Sequence, residues 1–322
     1  MIIITGAAGF IGSCVAARLN ELGREDLILV DHRHGELKER NLQEKKYARY
    51  YEKDVFLDLV KKDRLPFARI EAVIHMGACS STTLQDAEYY RLNNLEYTKT
   101  LGQWVLDHGV RFIYASSAAT YGDGSCGYKD DEATIRRCRP LNLYGRSKQD
   151  FDLWALDHHW LDRMVGLKFF NVFGPNEYHK GDMRSVVAKA YRQVVEEGRI
   201  RLFKSYHKDY GDGQQKRDFV YVKDVVDVIL FFWRHPAING IFNVGTGQAR
   251  TWNDLAEALF LAVGKPVRIE YIEMPEVLRD KYQYFTQAEM AKLRSVGYQK
   301  PFTSLKEAVR DYVSYLADDR VW

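Results

Sequence analysis

A phenol and an amine stand four residues apart in the segment Tyr144-Gly145-Arg146-Ser147-Lys148. If a helix begins here, the two side chains lie on one helix face, one turn apart. Free tyrosine has a pKa near ~10, and a cation fixed beside it lowers that pKa towards the range useful for proton transfer. Ser117 follows a predicted strand and could polarise an alcohol or a carbonyl, although it could also serve only in packing. The pattern therefore indicates proton exchange at a carbon–oxygen centre.

A glycine-rich segment, Gly6-Ala7-Ala8-Gly9-Phe10-Ile11-Gly12, directly follows the first apolar run. Its glycines allow a tight turn, close approach of a pyrophosphate to the backbone, and close packing of helix on strand. The N-terminus of the following helix offers unpaired N–H groups to phosphates. A turn that merely contains glycines is the alternative, but strand, loop, helix and second strand occur here in order. The segment predicts a dinucleotide site, where Lys148 could also hydrogen-bond the ribose.

The residue that ends the second predicted strand bears on which dinucleotide is bound. Asp31 comes 19 residues after Gly12, where a carboxylate accepts hydrogen bonds from a ribose and would repel a 2′-phosphate. His32, Arg33 and Lys38 follow, and cations there could neutralise such a phosphate or could simply form a solvated basic turn. From the residues alone, NAD and NADP stay equally open.

Short apolar runs alternate with amphipathic stretches through the first two-thirds of the chain. Runs of about four β-branched and aromatic residues are typical of strands covered on both faces. Their alternation with helix-length segments predicts an α/β fold: a doubly wound, Rossmann-like parallel sheet with a smaller α/β substrate domain. The predicted strands are 2–4, 27–30, 72–74, 112–115, 167–170 and 241–244, and the predicted helices are 11–22, 90–108 and 148–161.

The C-terminal third departs from this pattern, and no Pro/Ser-rich linker separates it from the rest. A second domain would therefore be built from insertions. The elements expected here are an exposed polar loop over 205–217, a helix over 251–263 capped by Thr251, a strand over 267–273 and a helix over 304–316. The predicted domains are a dinucleotide-binding domain of residues 1–171 and 218–245 and a substrate domain of residues 172–217 and 246–322.

Composition narrows the class of protein further. The 322 residues are 46% hydrophobic and 28% charged, which is typical of soluble globular proteins and excludes wholesale disorder. A net charge of +3 without long runs of one sign gives no support for nucleic-acid binding. The four cysteines lack metal or disulfide spacing, and neither a secretory signal nor a membrane span is recognisable. We therefore expect a cytoplasmic protein without a metal site, a nucleic-acid partner or a membrane segment.

Three motifs together resemble the extended short-chain dehydrogenase/reductase superfamily. They are GAAGFIG at residues 6–12, SSAATYG at 116–122 and YGRSK at 144–148. RDFVYVKDV at 217–225 and FNVGTG at 242–247 are similar to the nucleotide-sugar enzymes of that group. The resemblance covers essentially the whole chain and implies a nicotinamide cofactor.

A narrower resemblance is to the ADP-glyceromanno-heptose 6-epimerase family. It is carried by GACSSTT at 77–83, FNVFGPNEYHKGDM at 170–183, KRDFVYV at 216–222 and YQYFTQAEM at 282–290. That family inverts carbon 6 of the ADP-activated heptose used in lipopolysaccharide core assembly. The resemblance implies conversion of ADP-D-glycero-β-D-manno-heptose to its L-glycero epimer through a transient 6-ketone, with bound NADP. It also implies a homo-oligomer, for which a pentamer is the precedent.

The resemblance further implies roles for individual residues. The implied catalytic residues are Ser117, Tyr144, Lys148 and Lys180, with Tyr144 and Lys180 exchanging protons on opposite sides of the sugar carbon. The implied cofactor contacts are Gly6, Gly9, Phe10, Ile11, Gly12, Asp31, His32, Lys38, Lys53, Met76, Gly77, Ala78, Cys79, Ser80, Asn93, Tyr144, Lys148 and Val172. The implied substrate contacts are Ser117, Asn171, Asp182, Lys189, Phe203, Lys204, Ser205, Arg217 and Tyr282.

Several of these assignments have structural alternatives. Without the resemblance, Lys180 in its His-Lys-Gly turn would be interpreted as a solvated surface lysine. Arg217 would pair with the substrate diphosphate, or else form a salt bridge with Asp218 or Asp224. The aromatic residues assigned to the substrate could instead pack in the core. Asp182 stands where the family motif has serine, and the 206–215 loop is longer than in the shortest members.

Other functions also fit parts of the pattern. A dehydratase of this superfamily would need an acid directly after Ser117, where Ala118 and Ala119 stand. A UDP-sugar 4-epimerase, or another nucleotide-sugar oxidoreductase of the superfamily, would share Ser117 and the tyrosine–lysine pair but would not require Lys180. A non-catalytic, cofactor-sensing protein would be expected to have lost the tyrosine or the lysine, and both are present.

Overall fold

The structure is a computed structural model that describes residues 1–32, 35–66, 69–279 and 282–322, so Arg33 lies outside the described residues. The strands are β1 (Ile2–Thr5), β2 (Leu27–Asp31), β3 (Arg49–Glu52), β4 (Ala72–His75), β5 (Arg111–Ser117), β6 (Val165–Phe169), β7 (Asn171–Phe173), β8 (Ile200–Phe203), β9 (Lys216–Tyr221), β10 (Gly240–Val244), β11 (Ala249–Thr251) and β12 (Ile269–Ile272). The α-helices are α1 (Phe10–Glu21), α2 (Glu36–Glu39), α3 (Lys53–Lys61), α4 (Ala87–Tyr90), α5 (Tyr97–Asp107), α6 (Glu132–Arg137), α7 (Leu143–Asp157), α8 (Val186–Arg192), α9 (Val222–Arg234), α10 (Trp252–Val263), α11 (Glu276–Arg279), α12 (Ala291–Ser295) and α13 (Leu305–Ala317).

A seven-stranded parallel sheet with the order β10-β6-β5-β4-β1-β2-β3 forms the centre of the molecule. Every residue of β1, β2 and β4 is buried, as expected for strands covered on both faces. The strand order reverses between β1 and β4. Open α/β sheets bind ligands at such a point, beyond the carboxyl ends of the strands. The predicted doubly wound α/β fold is confirmed.

The two faces of the sheet bury separate cores. Ile2 and Ile4 pack on the face covered by α1 and α9. Ile3, which lies between them in β1, packs on the opposite face with residues of α3, α5 and α7. This division follows from the period of two along a strand. The helices on the two faces therefore bury alternate residues of the same strand.

The remaining strands form two small sheets, β11-β9-β7 and β12-β8. The predicted strand over 267–273 corresponds to β12, and the predicted C-terminal helices correspond to α10 and α13. Thr251 caps α10 as predicted, and Ser304 caps α13 in the same way, each through a capping box. Among the described residues, none of the helices combines the length and the apolar composition needed to span a bilayer.

Some elements differ from the prediction for physical reasons. Strand β3, with the sequence RYYE, is half exposed at the sheet edge and therefore lacks an apolar run. The predicted helix over 90–108 contains a π-helical segment, Arg91–Glu96. Helix α7 begins at Leu143 rather than Lys148. Strand β10 returns to the large sheet as expected, whereas β9 pairs with β7 in a small one. The proposed domain boundaries stay a prediction.

Candidate active site

A cavity of about 1180 Å³ opens beyond the carboxyl ends of β1, β2, β4 and β5. The glycine loop lines one part of it, and the 3₁₀ segment Tyr178–Met183 lines another. Ser117, Tyr144, Lys148 and Lys180 all line this cavity. The fold therefore brings the four predicted catalytic side chains, which come from three elements, to one place.

Helix α7 presents Tyr144 and Lys148 to the cavity from successive turns. The helix starts early because the side chain of Asn142 accepts a hydrogen bond from Gly145 N at 2.8 Å. Lys148 Nζ donates to Ala115 O at 2.8 Å, near the end of β5. The prediction that the phenol and the amine lie one turn apart on a helix is confirmed, and the first two turns of α7 carry both.

Burial dominates the titration of this pair. It lowers the pKa of Lys148 to about 8, while the nearby carboxylate of Asp152 opposes the change. Burial also raises the pKa of Tyr144, and a hydrogen bond with Ser117 acts in the opposite direction. The Tyr144 pKa is therefore raised overall in this structure, and its lowering by Lys148 during the reaction stays a prediction.

Lys180 is partly buried rather than solvated. Its Nζ lies 5.1 Å from the centre of the Phe10 ring, in the glycine loop. Burial lowers the pKa of Lys180, Lys189 acts in the same direction, and Glu177 opposes both. In the described part of the chain, Glu177 is the carboxylate that acts on Lys180, and it does so without a salt bridge to Lys180 Nζ. Lys180 therefore lines the cavity with a lowered pKa, and its role in proton exchange stays a prediction.

The glycine loop fits a dinucleotide. Gly6 has φ +66°, and a Cβ there would lie 2.6 Å from Gly77 N. At Gly12 a Cβ would lie 2.1 Å from Gly6 O, so the start of α1 can approach the strand only with glycine. Every residue for which the resemblance implies a cofactor contact lines the cavity. Among the described residues there is no cluster of side chains able to hold a metal ion.

The carboxylate of Asp31 is buried and already engaged. Its Oδ1 accepts hydrogen bonds from Lys38 Nζ at 2.6 Å and from His32 N at 2.7 Å. Its Oδ2 accepts one from Ala8 N at 2.9 Å. The charge of Asp31 is thus paired with a lysine and its two oxygens bind protein donors.

The predicted substrate contacts fall into two groups. Ser117 and Asn171 line the cavity. Residues outside the cavity lining are Asp182, Lys189, Phe203, Lys204, Ser205, Arg217 and Tyr282. Lys204, at the end of β8, forms an ion pair with Glu273 at 2.6 Å. The substrate contacts of both groups stay predictions.

Arg217 and Tyr282 lie directly behind the cavity wall. The guanidinium carbon of Arg217 is 5.2 Å from the centre of the Tyr282 ring, and 5.9 Å from that of Trp252, which lines the cavity. Trp252 Nε1 donates to the Tyr282 hydroxyl at 2.9 Å. One edge of the guanidinium is already engaged, because Arg217 Nη1 donates to Lys216 O at 2.9 Å. Its remaining N–H groups could bind an oxyanion.

The salt-bridge alternative for Arg217 is wrong. Asp218 Oδ1 instead accepts from Thr246 Oγ1 at 2.6 Å, and Asp224 Oδ1 accepts from Thr303 Oγ1 at 2.9 Å. Burial lowers the pKa of Arg217 from its usual value, and no carboxylate of the described residues opposes this change. Arg217 is thus a buried cation without a carboxylate partner among the described residues, and its contact with the substrate diphosphate stays a prediction.

The NAD dependent epimerase/dehydratase family matches residues 2–245. This range holds the glycine loop, Ser117, the Tyr144–Lys148 pair and Lys180. The chain belongs to the NAD dependent epimerase/dehydratase family.

Comparison with curated relatives shows members of the family to which this chain is similar in sequence. It is 55% identical over 318 residues, 98% of each chain, to the ADP-L-glycero-D-manno-heptose-6-epimerase of Nitratidesulfovibrio vulgaris strain DP4. It is 47% identical over 330 residues, 99% of each chain, to the protein of that name from Fusobacterium nucleatum. The predicted resemblance to the ADP-heptose 6-epimerase family is confirmed.

Solved structures agree with this placement of the epimerase/dehydratase. The ADP-L-glycero-D-manno-heptose-6-epimerase of Helicobacter pylori superposes with a TM-score of 0.80 at 27% identity, covering 98% of this chain and 96% of the other. The UDP-N-acetylglucosamine 4-epimerase of Methanobrevibacter ruminantium M1 gives 0.82 at 21% identity, covering 99% and 98%. At that identity the second similarity shows the fold alone.

Sequence reasoning missed several residues of the epimerase/dehydratase site. Trp252, Gln283 and Thr286 line the cavity, and Gln283 Nε2 donates to Gly122 O at 2.7 Å. Gln283 and Thr286 lie within the motif at 282–290, so the resemblance could have singled them out. Trp252 follows the predicted helix cap, and no local signal distinguishes it from a core aromatic.

Proposed function

We propose that this protein converts ADP-D-glycero-β-D-manno-heptose to ADP-L-glycero-β-D-manno-heptose by epimerising carbon 6, with NADP as its bound cofactor. The observation that carries the proposal is the convergence of Tyr144, Lys148 and Lys180 on one cavity beside the glycine loop. Relatives at 55% and 47% identity over nearly the full chain bear the name of this activity. The product would serve the heptose supply of lipopolysaccharide.

The residues of the cavity account for the proton movements of such a reaction. A bound nicotinamide supplies a hydride acceptor and then a hydride donor. In this proposal Ser117 hydrogen-bonds the carbon 6 oxygen, while either Tyr144 or Lys180 removes the hydroxyl proton as carbon 6 gives up its hydride, and a ketone results. Epimerisation requires hydride to return to the other face, so the sugar must turn. The second of the two groups then returns a proton to the oxygen in its new position.

The residues around Ser117 argue against dehydration. Ala118 and Ala119 line the cavity directly after it, within the 3₁₀ segment Ala118–Tyr121. Elimination of water requires an acid beside the hydroxyl residue, and methyl groups cannot donate a proton. The ketone formed in this cavity is therefore reduced again rather than dehydrated.

The pairing of Asp31 supports NADP rather than NAD. The carboxylate that would repel a 2′-phosphate is neutralised by Lys38 at 2.6 Å, and its oxygens already bind protein donors. Lys38 and His32 both line the cavity beside it. An Asp31 carboxylate that is already paired with Lys38 repels a 2′-phosphate less than an unpaired carboxylate would, and Lys38 and His32 add no negative charge beside it.

We further propose a homo-oligomer, with a pentamer as the state implied by the resemblance, acting in the cytoplasm. Light scattering on the purified protein measures the mass of the assembly directly. A monomeric mass at micromolar concentration would contradict the proposed assembly without bearing on the reaction.

A direct experiment tests the function. We expect the purified protein, as isolated and without added reductant, to interconvert the two ADP-heptose epimers, and to leave UDP-galactose unchanged at carbon 4. Mass spectrometry of the cofactor released by denaturation should identify NADP. Turnover of UDP-sugars without turnover of ADP-heptose would replace this proposal by a 4-epimerase.

The lowered pKa of Lys148 leads to a prediction for the pH dependence of the reaction. Its ammonium stabilises a tyrosinate only when protonated, and burial lowers its pKa to about 8. An ordinary lysine would keep its proton to much higher pH, so here activity is lost as pH rises through about 8. We expect kcat/KM at pH 9 to be about tenfold below its plateau. Lys148→Arg, which keeps its positive charge at these pH values, should remove this decline. A wild-type kcat/KM that stays constant up to pH 9.5 would contradict the stabilisation of Tyr144 by protonated Lys148.

The proposed contact between Arg217 and the substrate diphosphate can be tested through the KM for ADP-heptose. We expect Arg217→Gln to raise the KM for ADP-heptose about 30-fold, since a charge-assisted bidentate contact contributes roughly 2 kcal/mol. Arg250 is the cross-strand neighbour of Arg217 and is exposed, so Arg250→Gln is the matched control and should leave KM unchanged. Equal KM values in the two variants would remove Arg217 from the substrate site.

A further inference from the structure

Asn41 joins two parts of the site that are far apart in the sequence. It is fully buried in the short 3₁₀ helix Arg40–Leu42. Asn41 Nδ2 donates to Ala8 O and to Asn176 O, both at 3.0 Å, and lies 3.3 Å from His179 Nδ1. An amide NH2 group has two hydrogens, so one side chain can satisfy both carbonyls. The reversed amide would place an oxygen against two carbonyl oxygens.

The carbonyls of Ala8 and Asn176 belong to the two backbone segments that meet where Lys180 contacts Phe10 of the glycine loop. Ala8 precedes Phe10 by two residues, and Asn176 precedes Lys180 by four. Lys180 Nζ lies 5.1 Å from the centre of the Phe10 ring. The Asn41 amide therefore links the backbone segments that carry the two partners of this contact.

The segment that carries Lys180 is also held independently of Asn41. Asn176 is buried with φ +75°, and its Oδ1 accepts from Trp322 N at 2.8 Å. Its Nδ2 donates to Ser13 Oγ at 2.9 Å. Removal of the Asn41 amide therefore leaves this segment attached to α1 and to the C-terminus, and removes its hydrogen-bonded link to Ala8 of the glycine loop.

We propose that Asn41 is a positioning residue, which holds the Lys180 segment against the glycine loop and so keeps the Lys180 amine in the cavity. The inference rests on the proposed function of Lys180 in epimerisation. Asn41 itself is absent from the cavity lining and acts through Ala8 and Asn176. The charged groups that act on Lys180 are Glu177 and Lys189, and neither hydrogen-bonds Asn41.

Asn20 provides a matched control. Its Nδ2 donates to Arg24 O and Lys46 O, both at 2.8 Å, and its Oδ1 accepts from Lys46 N at 2.8 Å. This amide also joins two backbone carbonyls from separate segments, but at the C-terminal end of α1, outside the cavity lining. Asn20→Ala thus removes bonds of the same kind without touching the glycine loop or the Lys180 segment.

The first test compares steady-state rates of the protein with its cofactor bound. We expect Asn41→Ala to lower kcat about tenfold while KM for ADP-heptose changes less than about threefold, because the substrate contacts stay in place. Asn20→Ala should leave both values within about twofold. In the Lys180→Ala background, Asn41→Ala should cost less than about twofold further. An unchanged kcat, or the same loss with and without Lys180, would overturn the proposal.

The second test does not depend on turnover. Reductive ¹³C-methylation followed by NMR titration reads the pKa of Lys180, whose signal is assigned with Lys180→Arg. Burial lowers this pKa in the intact site. It should rise towards the ordinary lysine value in Asn41→Ala and stay unchanged in Asn20→Ala, because only the former lets the amine move into water.

The titration also separates the two proposals. An unchanged Lys180 pKa in folded Asn41→Ala overturns the role of Asn41 whatever the substrate is. Failure of the wild-type protein to epimerise ADP-heptose overturns the proposed function and leaves the titration interpretable. Asn41→Leu keeps the side-chain volume but lacks donors, and it supplies the same titration if the alanine variant does not fold.

Discussion

Lys180→Ala and Tyr144→Phe should each lower the rate of carbon 6 epimerisation by about 10³-fold, because a positioned general acid or base contributes roughly 10²–10⁴-fold. Both side chains line the cavity from different elements, and an epimerase that turns its substrate needs a proton donor in each orientation. NADP binding should survive in Lys180→Ala, since the glycine loop is untouched. The measurement is the rate of interconversion of the two ADP-heptose epimers, with retained cofactor read by absorbance.

Controls for this pair are available in the same chain. Lys62 is exposed and forms an ion pair with Asp58. Tyr271 lies in β12, outside the cavity lining, and its hydroxyl donates to Asn253 Oδ1. Lys62→Ala and Tyr271→Phe should turn over at the wild-type rate. Near-normal turnover in Lys180→Ala would remove that lysine from the reaction, and the same result in Tyr144→Phe would remove the tyrosine.

The second large expected effect is on stability, and it concerns a buried ion pair between helix α7 and strand β6. Asp152 of α7 and Lys168 of β6 are both fully buried, with Lys168 Nζ 2.6 Å from Asp152 Oδ2. The same carboxylate accepts from Ser116 Oγ at 2.7 Å and from the Tyr114 hydroxyl at 3.0 Å. We expect Asp152→Leu to lower the free energy of unfolding by about 3–5 kcal/mol, because it leaves the Lys168 charge buried without a partner.

A double variant identifies the cause of that loss. Asp152→Leu combined with Lys168→Met removes both charges, and should recover a large part of the stability lost in the single variant. The exposed pair of Lys62 and Asp58 is the matched control, where Asp58→Asn should cost less than about 1 kcal/mol. Urea midpoints at constant m-value measure all three. A double variant no more stable than Asp152→Leu would show that the hydrogen bonds, rather than the unpaired charge, dominate.

The large sheet and the helices beside it follow from short-range patterns. Strand β1, for example, is apolar throughout because helices cover both of its faces, so its sequence alone marks it as a central strand. Strand β3 escaped prediction because an edge strand buries little and can be polar. The small sheets join segments distant in sequence, such as β7 with β9, and no local pattern specifies such pairing.

The sequence by itself determined the glycine loop, the spacing of Tyr144 and Lys148 and, through its motifs, the family. These depend on backbone geometry and on helix periodicity, which act between residues close in the chain. Only the tertiary structure decided that Lys180 is partly buried over Phe10, that Arg217 stacks on Tyr282 without a carboxylate, and that Asn41 joins two segments of the site. Burial and long-range contacts set these properties, and both are created only when distant segments pack together.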